Sequence, residues 1–258
     1  MQRMEQRVKD IEIRVIPSKV ANAFIKRTHY SGKVVNNSSL HFGCFLDKQL
    51  HGVLQYGSSI DKRKMMVLVE GTQWNNFLEL NRMAFDEYLP RNSESYCIAT
   101  TLRLIKKQAP QVKWVISFAD GCSCGDGTIY RASNFVLTGI AENSGIMQLP
   151  SGEKIHQLTL TSNPTRPRPE LDGLSLMDLG NSVKRYREKT NAVLLKGYQY
   201  RYIYFIDKSW RKRLTVPEIP FSKIDEIGGG MYRGEKISIA ERKKSGEVDL
   251  NANFNLED

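Results

Sequence analysis

Five polar side chains sit where an apolar residue would be the default, and each has chemistry to offer. His29-Tyr30 closes a helical pattern, and Arg82 interrupts the strand-like run Glu79-Leu80-Asn81-Arg82-Met83. Asp120 ends the apolar run Ser117-Phe118-Ala119, and Tyr130 falls in the first turn of the helix expected after it. A lone charge inside an apolar strand is costly unless paired, and open α/β sheets place their sites at the carboxyl ends of strands. A carboxylate can remove a proton, an imidazole or phenol can relay one, and a guanidinium can hold an anion. Taken singly, a helix cap or a local salt bridge explains each of them at least as well.

Other constellations fall away. The chain has no GxxxxGK[ST], no GxGxxG after a strand, no GxSxG elbow and no HExxH, which excludes the usual phosphate cradles, serine hydrolases and zincins. The stretch from Gly121 to Gly127 could hold a phosphate on its backbone N–H groups, although a flexible strand-to-helix turn is the simpler reading. Cys44, Cys97, Cys122 and Cys124 form no CxxC pair, so four free thiols in a reducing compartment are expected. His41, His51 and His156 read as packed or sheet-surface residues.

The elements that must position these residues alternate between strand and helix. Residues 11–16 alternate as a strand, and Pro17-Ser18 opens a helix over 19–27 with Ser18 as its N-cap. Residues 41–46 and 50–55 form the arms of a hairpin around Asp47-Lys48, and 77–85 reads as a strand. Asn92 or Ser93 caps a helix through 107 that Pro110 ends. Residues 112–118 predict a buried strand, 129–137 a helix with Gly139 just past its end, and 155–160 and 198–206 late strands. The proline-rich stretch 161–169 predicts an extended loop, and 173–190 a helical insertion. The order is that of an α+β fold around one central mixed sheet. It predicts a single domain over 1–235 and a flexible tail over 236–258.

At 258 residues, 40% apolar and 26% charged, the composition excludes wholesale disorder. No apolar run approaches the roughly 20 residues of a membrane span, and the start lacks the apolar core of a secretory signal. A cytoplasmic protein with no membrane partner is expected. The net charge of +10 favours a polyanionic partner, nucleic acid first. Ten basic against two acidic residues fall in 184–213, interleaved with Tyr186, Tyr198, Tyr200, Tyr202, Tyr204 and Trp210. Cations beside aromatic faces suit phosphates and bases, which makes Lys184, Arg185, Arg187, Arg201, Arg211, Lys212 and Arg213 candidate DNA contacts. The period-two tyrosines fit a half-buried strand as well.

Thr28-His29-Tyr30-Ser31, Glu79-Leu80-Asn81-Arg82-Met83, Ser117-Phe118-Ala119-Asp120-Gly121 and Gly127-Thr128-Ile129-Tyr130, with Asn134-Phe135 beyond it, resemble segments of the phage Mom family. They occur in the family's order and with similar spacing, from about residue 10 to 205. The resemblance implies an enzyme that adds a carbamoylmethyl group to adenine N6 in double-stranded DNA and so protects phage DNA from restriction endonucleases in the host cytoplasm. It also implies a fold similar to the GCN5-related N-acetyltransferases, a central mixed, mostly antiparallel sheet flanked by helices. His29, Tyr30, Arg82, Asp120 and Tyr130 match the positions of the family's essential residues. By the same resemblance Fe(II) is an expected cofactor with His29, Asp120 and Tyr130 as ligands, and acyl-CoA or another donor supplies the group. In this reading Asp120 is the base or a metal ligand, Tyr130 a proton relay, and Arg82 the charge partner of Asp120 or an anchor for an anion.

One stretch departs from the acetyltransferase pattern. The wider superfamily has Arg/Gln-x-x-Gly-x-Gly/Ala for the coenzyme A pyrophosphate, whereas Arg91 to Cys97 contains no glycine. Cofactor-binding residues are therefore left unassigned. Two other readings stay open at this level: an acyl-CoA-dependent N-acetyltransferase acting on a small amine or protein lysine, and a non-catalytic DNA-binding protein. The oligomeric state is open, with a homodimer among the options.

Overall fold

The computed structural model describes residues 7–245. Their contacts form two compact units, one running to Ile140 and resuming at Tyr200, the other spanning Ala141–Gln199. The first unit holds β1 (Glu12–Val15), β2 (Ser38–Leu46), β3 (Gln49–Gly57), β4 (Phe77–Phe85), β5 (Trp114–Asp120) and β6 (Val136–Glu142). With a late strand, β10 (Tyr198–Phe205), these make one seven-stranded sheet in the order β1-β2-β3-β4-β5-β10-β6. β1 to β4 pair antiparallel in succession, and β4 pairs parallel with β5. With its helices, this is an α+β fold on a mixed, mostly antiparallel sheet.

Local chemistry explains the elements around the sheet. Helix α1 (Ser18–Thr28) buries Ala21, Phe24 and Ile25, a spacing that puts them on one face, where they join Val53 and Ala84 in a core cluster. Pro17 rather than Ser18 is its N-cap, and no side chain caps it, because the fixed φ of proline already suits a helix start. Asp47 and Lys48 take φ values of 51 and 64, the positive pair that a two-residue hairpin turn demands. Helix α2 (Lys62–Met66) is short, and α3 (Ser93–Gln108) buries Cys97, Ile98, Thr101, Leu102 and Ile105.

Three further expectations change. The helix expected over 129–137 stops early as α4 (Thr128–Ala132). Asn134 turns the chain at φ 61, and Phe135 and Leu137 enter the core. Gly139 is a strand residue beneath the Arg201 guanidinium, whose atoms would lie 3.1 Å from an added Cβ. The strand expected over 155–160 ends at His156, where the ring Nδ1 accepts the Leu158 N–H at 3.0 Å and opens a helix instead. The start of the expected tail folds: after α7 (Ser222–Glu226) a helix, α8 (Ile239–Ser245), carries the fully buried Arg242. The rest of that tail lies outside the described residues.

The second unit has its own sheet of β7 (Ile146–Gln148), β8 (Lys154–His156) and β9 (Val193–Leu194), in the order β8-β7-β9. Met147, Ile155, Leu160, Leu171 and Leu176 form its core together with Tyr186 from α6 (Val183–Thr190), while α5 (Gln157–Thr161) supplies Leu160. Among the described residues no helix is long and apolar enough to cross a membrane.

Candidate active site

Two irregularities of the sheet build the site. The parallel ladder between β4 and β5 covers only Phe77, Leu78 and Glu79 against Trp114, Val115 and Ile116. Beyond it the strands are joined by a side chain, the Ser117 hydroxyl donating to Leu80 O at 3.1 Å. On the other side of β4, Gln55 pairs with Arg82 and Tyr56 with Leu80, so Asn81 is an extra residue. Such a bulge reverses the inward–outward alternation. Glu79 and Arg82, three apart, would face opposite sides of a regular strand; both act electrostatically on Tyr130.

The five expected residues converge on this gap. His29 caps the end of α1, its N–H bonded to Ile25 O at 2.9 Å. Its Nδ1 accepts the Ser31 N–H at 3.1 Å, with the Ser31 hydroxyl at 2.8 Å. Burial, then the Arg82 charge, lowers the imidazole to about 4, so at neutral pH it is uncharged and its proton sits on Nε2. Its ring lies 4.3 Å from that of Tyr30. Tyr30 is 55% exposed overall, yet its phenol is raised, first by burial and then by the Asp120 charge. The burial therefore acts at the hydroxyl end, among Asp120, Cys124, Arg82 and Tyr130.

Arg82 donates to the carbonyls of Lys33 at 3.4 Å and Asn81 at 3.1 Å, which ties the loop after α1 to β4. Asp120 Oδ1 accepts the Cys122 N–H at 2.9 Å, and its carbonyl accepts those of Cys124 and Gly125 at 3.0 Å. The glycine-rich stretch is thus a turn folded on Asp120. Burial pushes the Tyr130 phenol up to about 12, against the pull of Ser117 and Arg82, which leaves it a neutral donor.

Helix α4, which carries Tyr130, is anchored from far along the chain. Asp126, 1% exposed, accepts Thr128 N–H at 3.2 Å and Thr128 Oγ1 at 2.8 Å, and pairs with the Arg242 guanidinium. Arg242 also bonds Thr128 Oγ1 at 2.7 Å. An ion pair with both members out of water persists only when its remaining hydrogen-bonding groups are satisfied as well.

Some expectations find no support in this geometry. Among the described residues no group of three or more His, Cys, Asp or Glu is placed to hold a metal ion. The expected Fe(II) on His29, Asp120 and Tyr130 is therefore without support here. The first turn of α3 presents Glu94 rather than a glycine cradle.

Two of the four tyrosines of β10 are core residues. Tyr200 and Tyr202 are 0% and 1% exposed, with hydroxyls bonded to the carbonyls of Gly229 and Asp126. The basic stretch divides between the two units. Arg201 donates to Thr138 O at 2.6 Å, and Arg211 forks onto Glu218 with two bonds of 2.6 Å. In α6 Lys184 lies 3.9 Å from Glu188, and Arg185 and Arg187 are exposed. Lys212 and Arg213 are exposed as well.

Glu79, Ser117 and Cys124 join the site without having been singled out as site residues. Glu79 was legible as a carboxylate three residues from Arg82, but the bulge that brings the two together was not.

Fold and site define a class: an α+β protein whose polar site opens where two parallel strands part. The chain matches the Mom protein family over residues 10–223, and it belongs to that family. It is 36% identical over 216 residues to the methylcarbamoylase mom of Escherichia phage Mu, covering 81% of this chain and 80% of that protein. Among solved structures it is similar to spermidine/spermine N-acetyltransferase SpeG from Vibrio cholerae, with 8% identity, coverage of 80% of this chain and 98% of that one, and a TM-score of 0.42. It is also similar to an acetyltransferase of the GNAT family from Streptococcus pneumoniae, with 11% identity, 52% and 89% coverage, and a TM-score of 0.36.

Proposed function

We propose that this protein is a DNA-modifying transferase that places a carbamoylmethyl group on adenine N6 and thereby shields DNA from restriction endonucleases. The observation that carries the reading is the convergence of two carboxylates, Asp120 and Glu79, one guanidinium and three neutral donors where β4 and β5 part. The 36% identity to a phage methylcarbamoylase supports the nature of the group.

Adenine N6 is a weak nucleophile because its lone pair is delocalised into the ring. Forming an N6–C bond requires removal of one N6 proton, and Asp120 is the base in this reading. Arg82, with the His29 Nε2–H and the phenols of Tyr30 and Tyr130, stabilises negative charge developing on the donor. N6 lies in the major groove, where its hydrogens are read by other proteins, so alkylation there removes a recognition element. The exposed cations Lys184, Arg185, Arg187, Lys212 and Arg213 engage phosphates. As the N6–CH2 bond forms, the bond from that carbon to the donor's leaving group breaks, and the leaving group takes the electron pair. A simple acyl thioester would instead deliver its carbonyl carbon and leave an N6-acyl product, so the donor must carry its leaving group on the methylene carbon.

The test is expression in bacteria with mass analysis of digested plasmid nucleosides. A carbamoylmethyl mass on deoxyadenosine is expected, and Asp120→Asn should lower the modified fraction by about 10²–10⁴. Unmodified deoxyadenosine with the wild-type chain sinks the reading, and full modification by Asp120→Asn removes the base.

A further inference from the structure

A groove of about 600 Å³ lies between the C-terminal half of α3, the entry to β5 and the end of β10. Arg103 and Lys106 enter it from α3, Lys113 from the residue before β5, and Lys208 from the 3-10 helix Lys208–Arg213. Arg103 and Lys106, three apart, share a helix face. The one carboxylate lining the groove, Asp207, already accepts Ser209 N–H at 3.1 Å and Ser209 Oγ at 2.6 Å, and faces Lys113 at 3.7 Å. Among the described residues no carboxylate pairs with Arg103 or Lys106; Arg103 donates to Thr100 Oγ1 at 3.3 Å, and its charge acts on the Tyr204 phenol across the groove. The helix dipole accounts for a cation in the last turn of α3. It does not account for two more arriving from other elements.

The groove is distinct from the candidate active site. Lys113 precedes β5 and Asp120 ends it, a separation of about 23 Å at ~3.3 Å per residue. We propose that this groove is a second anion site, a track for the phosphate backbone of double-stranded DNA. The inference rests on the DNA-modification reading and adds to it the surface that holds the duplex away from the reacting base.

A duplex fits the groove better than a small phosphate ester does. Three of the four cations, Arg103, Lys106 and Lys208, are exposed, and all four carry their charge at the end of a long side chain. Such sites gain most from a ligand whose many phosphates release counterions together. The same 3-10 helix continues the charge with the exposed Lys212 and with Arg213, whose guanidinium is steadied 4.5 Å over the Trp210 ring.

The experiment measures binding of the full chain to a fluorescent 30-base-pair duplex across a range of salt, for wild type and for Arg103→Gln/Lys106→Gln/Lys208→Gln. Lys113 is retained for its pairing with Asp207. With about 0.9 of log–log salt slope per phosphate contact, the variant's slope should fall by about two to three, with an unchanged thermal midpoint. An unchanged slope overturns the groove. So does a slope that holds while binding of coenzyme A or ADP is lost, because the site is then one for a small phosphate ester. Plasmid nucleosides separate the two readings. Modified deoxyadenosine with an unchanged slope defeats the groove alone; groove-dependent binding with unmodified nucleosides defeats the transferase and keeps the groove.

Discussion

At its start β5 runs beside β4, and its own side chains there are buried. Trp114 stacks on Phe77 at 4.3 Å and 7°, its Nε1 donates to Thr72 Oγ1 at 3.1 Å, and Val115 and Ile116 are fully buried. At its end the same strand has parted from β4. Ser117 bridges to Leu80, Asp120 is wrapped by the backbone of the following turn, and Arg82, Tyr30 and Tyr130 act on one another electrostatically. Seven residues of one strand therefore serve two purposes. The paired end supplies hydrophobic burial, at roughly 25 cal/mol per Å² of apolar surface. The parted end gives up ladder hydrogen bonds and places desolvated polar groups around a gap, an arrangement that is poor for stability and suited to chemistry.

Truncating Trp114 to Ala tests the packed end and has the largest expected effect, a loss of about 3–5 kcal/mol of stability. The modified fraction per folded molecule should stay near wild type below the new melting temperature. Denaturant midpoints and nucleoside analysis together check this, and a loss of modification in fully folded protein would show that the two ends are not separable. At the parted end, Tyr130→Phe removes only a hydroxyl. Modification should fall by about 10- to 100-fold, while stability moves by no more than about 1.5 kcal/mol. A Tyr130→Phe protein with wild-type activity would reduce that phenol to a packing role between Phe135 and Tyr202.

This division was only half legible in the sequence. The packed end declares itself, since 77–85 coincides with β4 and 112–118 overlaps β5, because apolar runs that bury their own backbone depend on neighbours in sequence. The five polar residues were legible as oddities at element ends, and as a group through the family they resemble. Three features were not legible, all for physical reasons. The Asn81 bulge depends on how β3 and β4 register. The parting of β4 from β5 depends on what Ser117 and Tyr130 place between them. The Asp126–Arg242 pair joins positions 116 residues apart, and Arg242 lies beyond the span matched by the family. The basic stretch was legible as charge but not as surface. A period-two row of tyrosines is the same string whether it stacks on bases or, as with Tyr200 and Tyr202, fills a core.

The last and smallest effect comes from His29, which belongs to the parted end and gives it a pH dependence that Trp114 cannot give the other. Its imidazole is lowered from 6.5 to about 4 in the folded chain, by burial first and the Arg82 charge second. Between those values the unfolded chain binds a proton that the folded chain refuses, so stability is full above pH 6.5 and declines as pH falls towards 4. Partial exposure of the ring reduces the ideal linkage, and about 1–2 kcal/mol should be lost between pH 7.5 and 5. Denaturant midpoints at the two pH values, compared with those of His29→Asn, isolate this contribution, because the other titrating groups are common to both proteins. Equal pH losses in the two proteins would mean that the imidazole is not held neutral. If it is held neutral, an acid limb of activity comes from another group, such as Glu79, whose carboxyl is pushed up by burial against the pull of Ser59, Asn81 and Arg82.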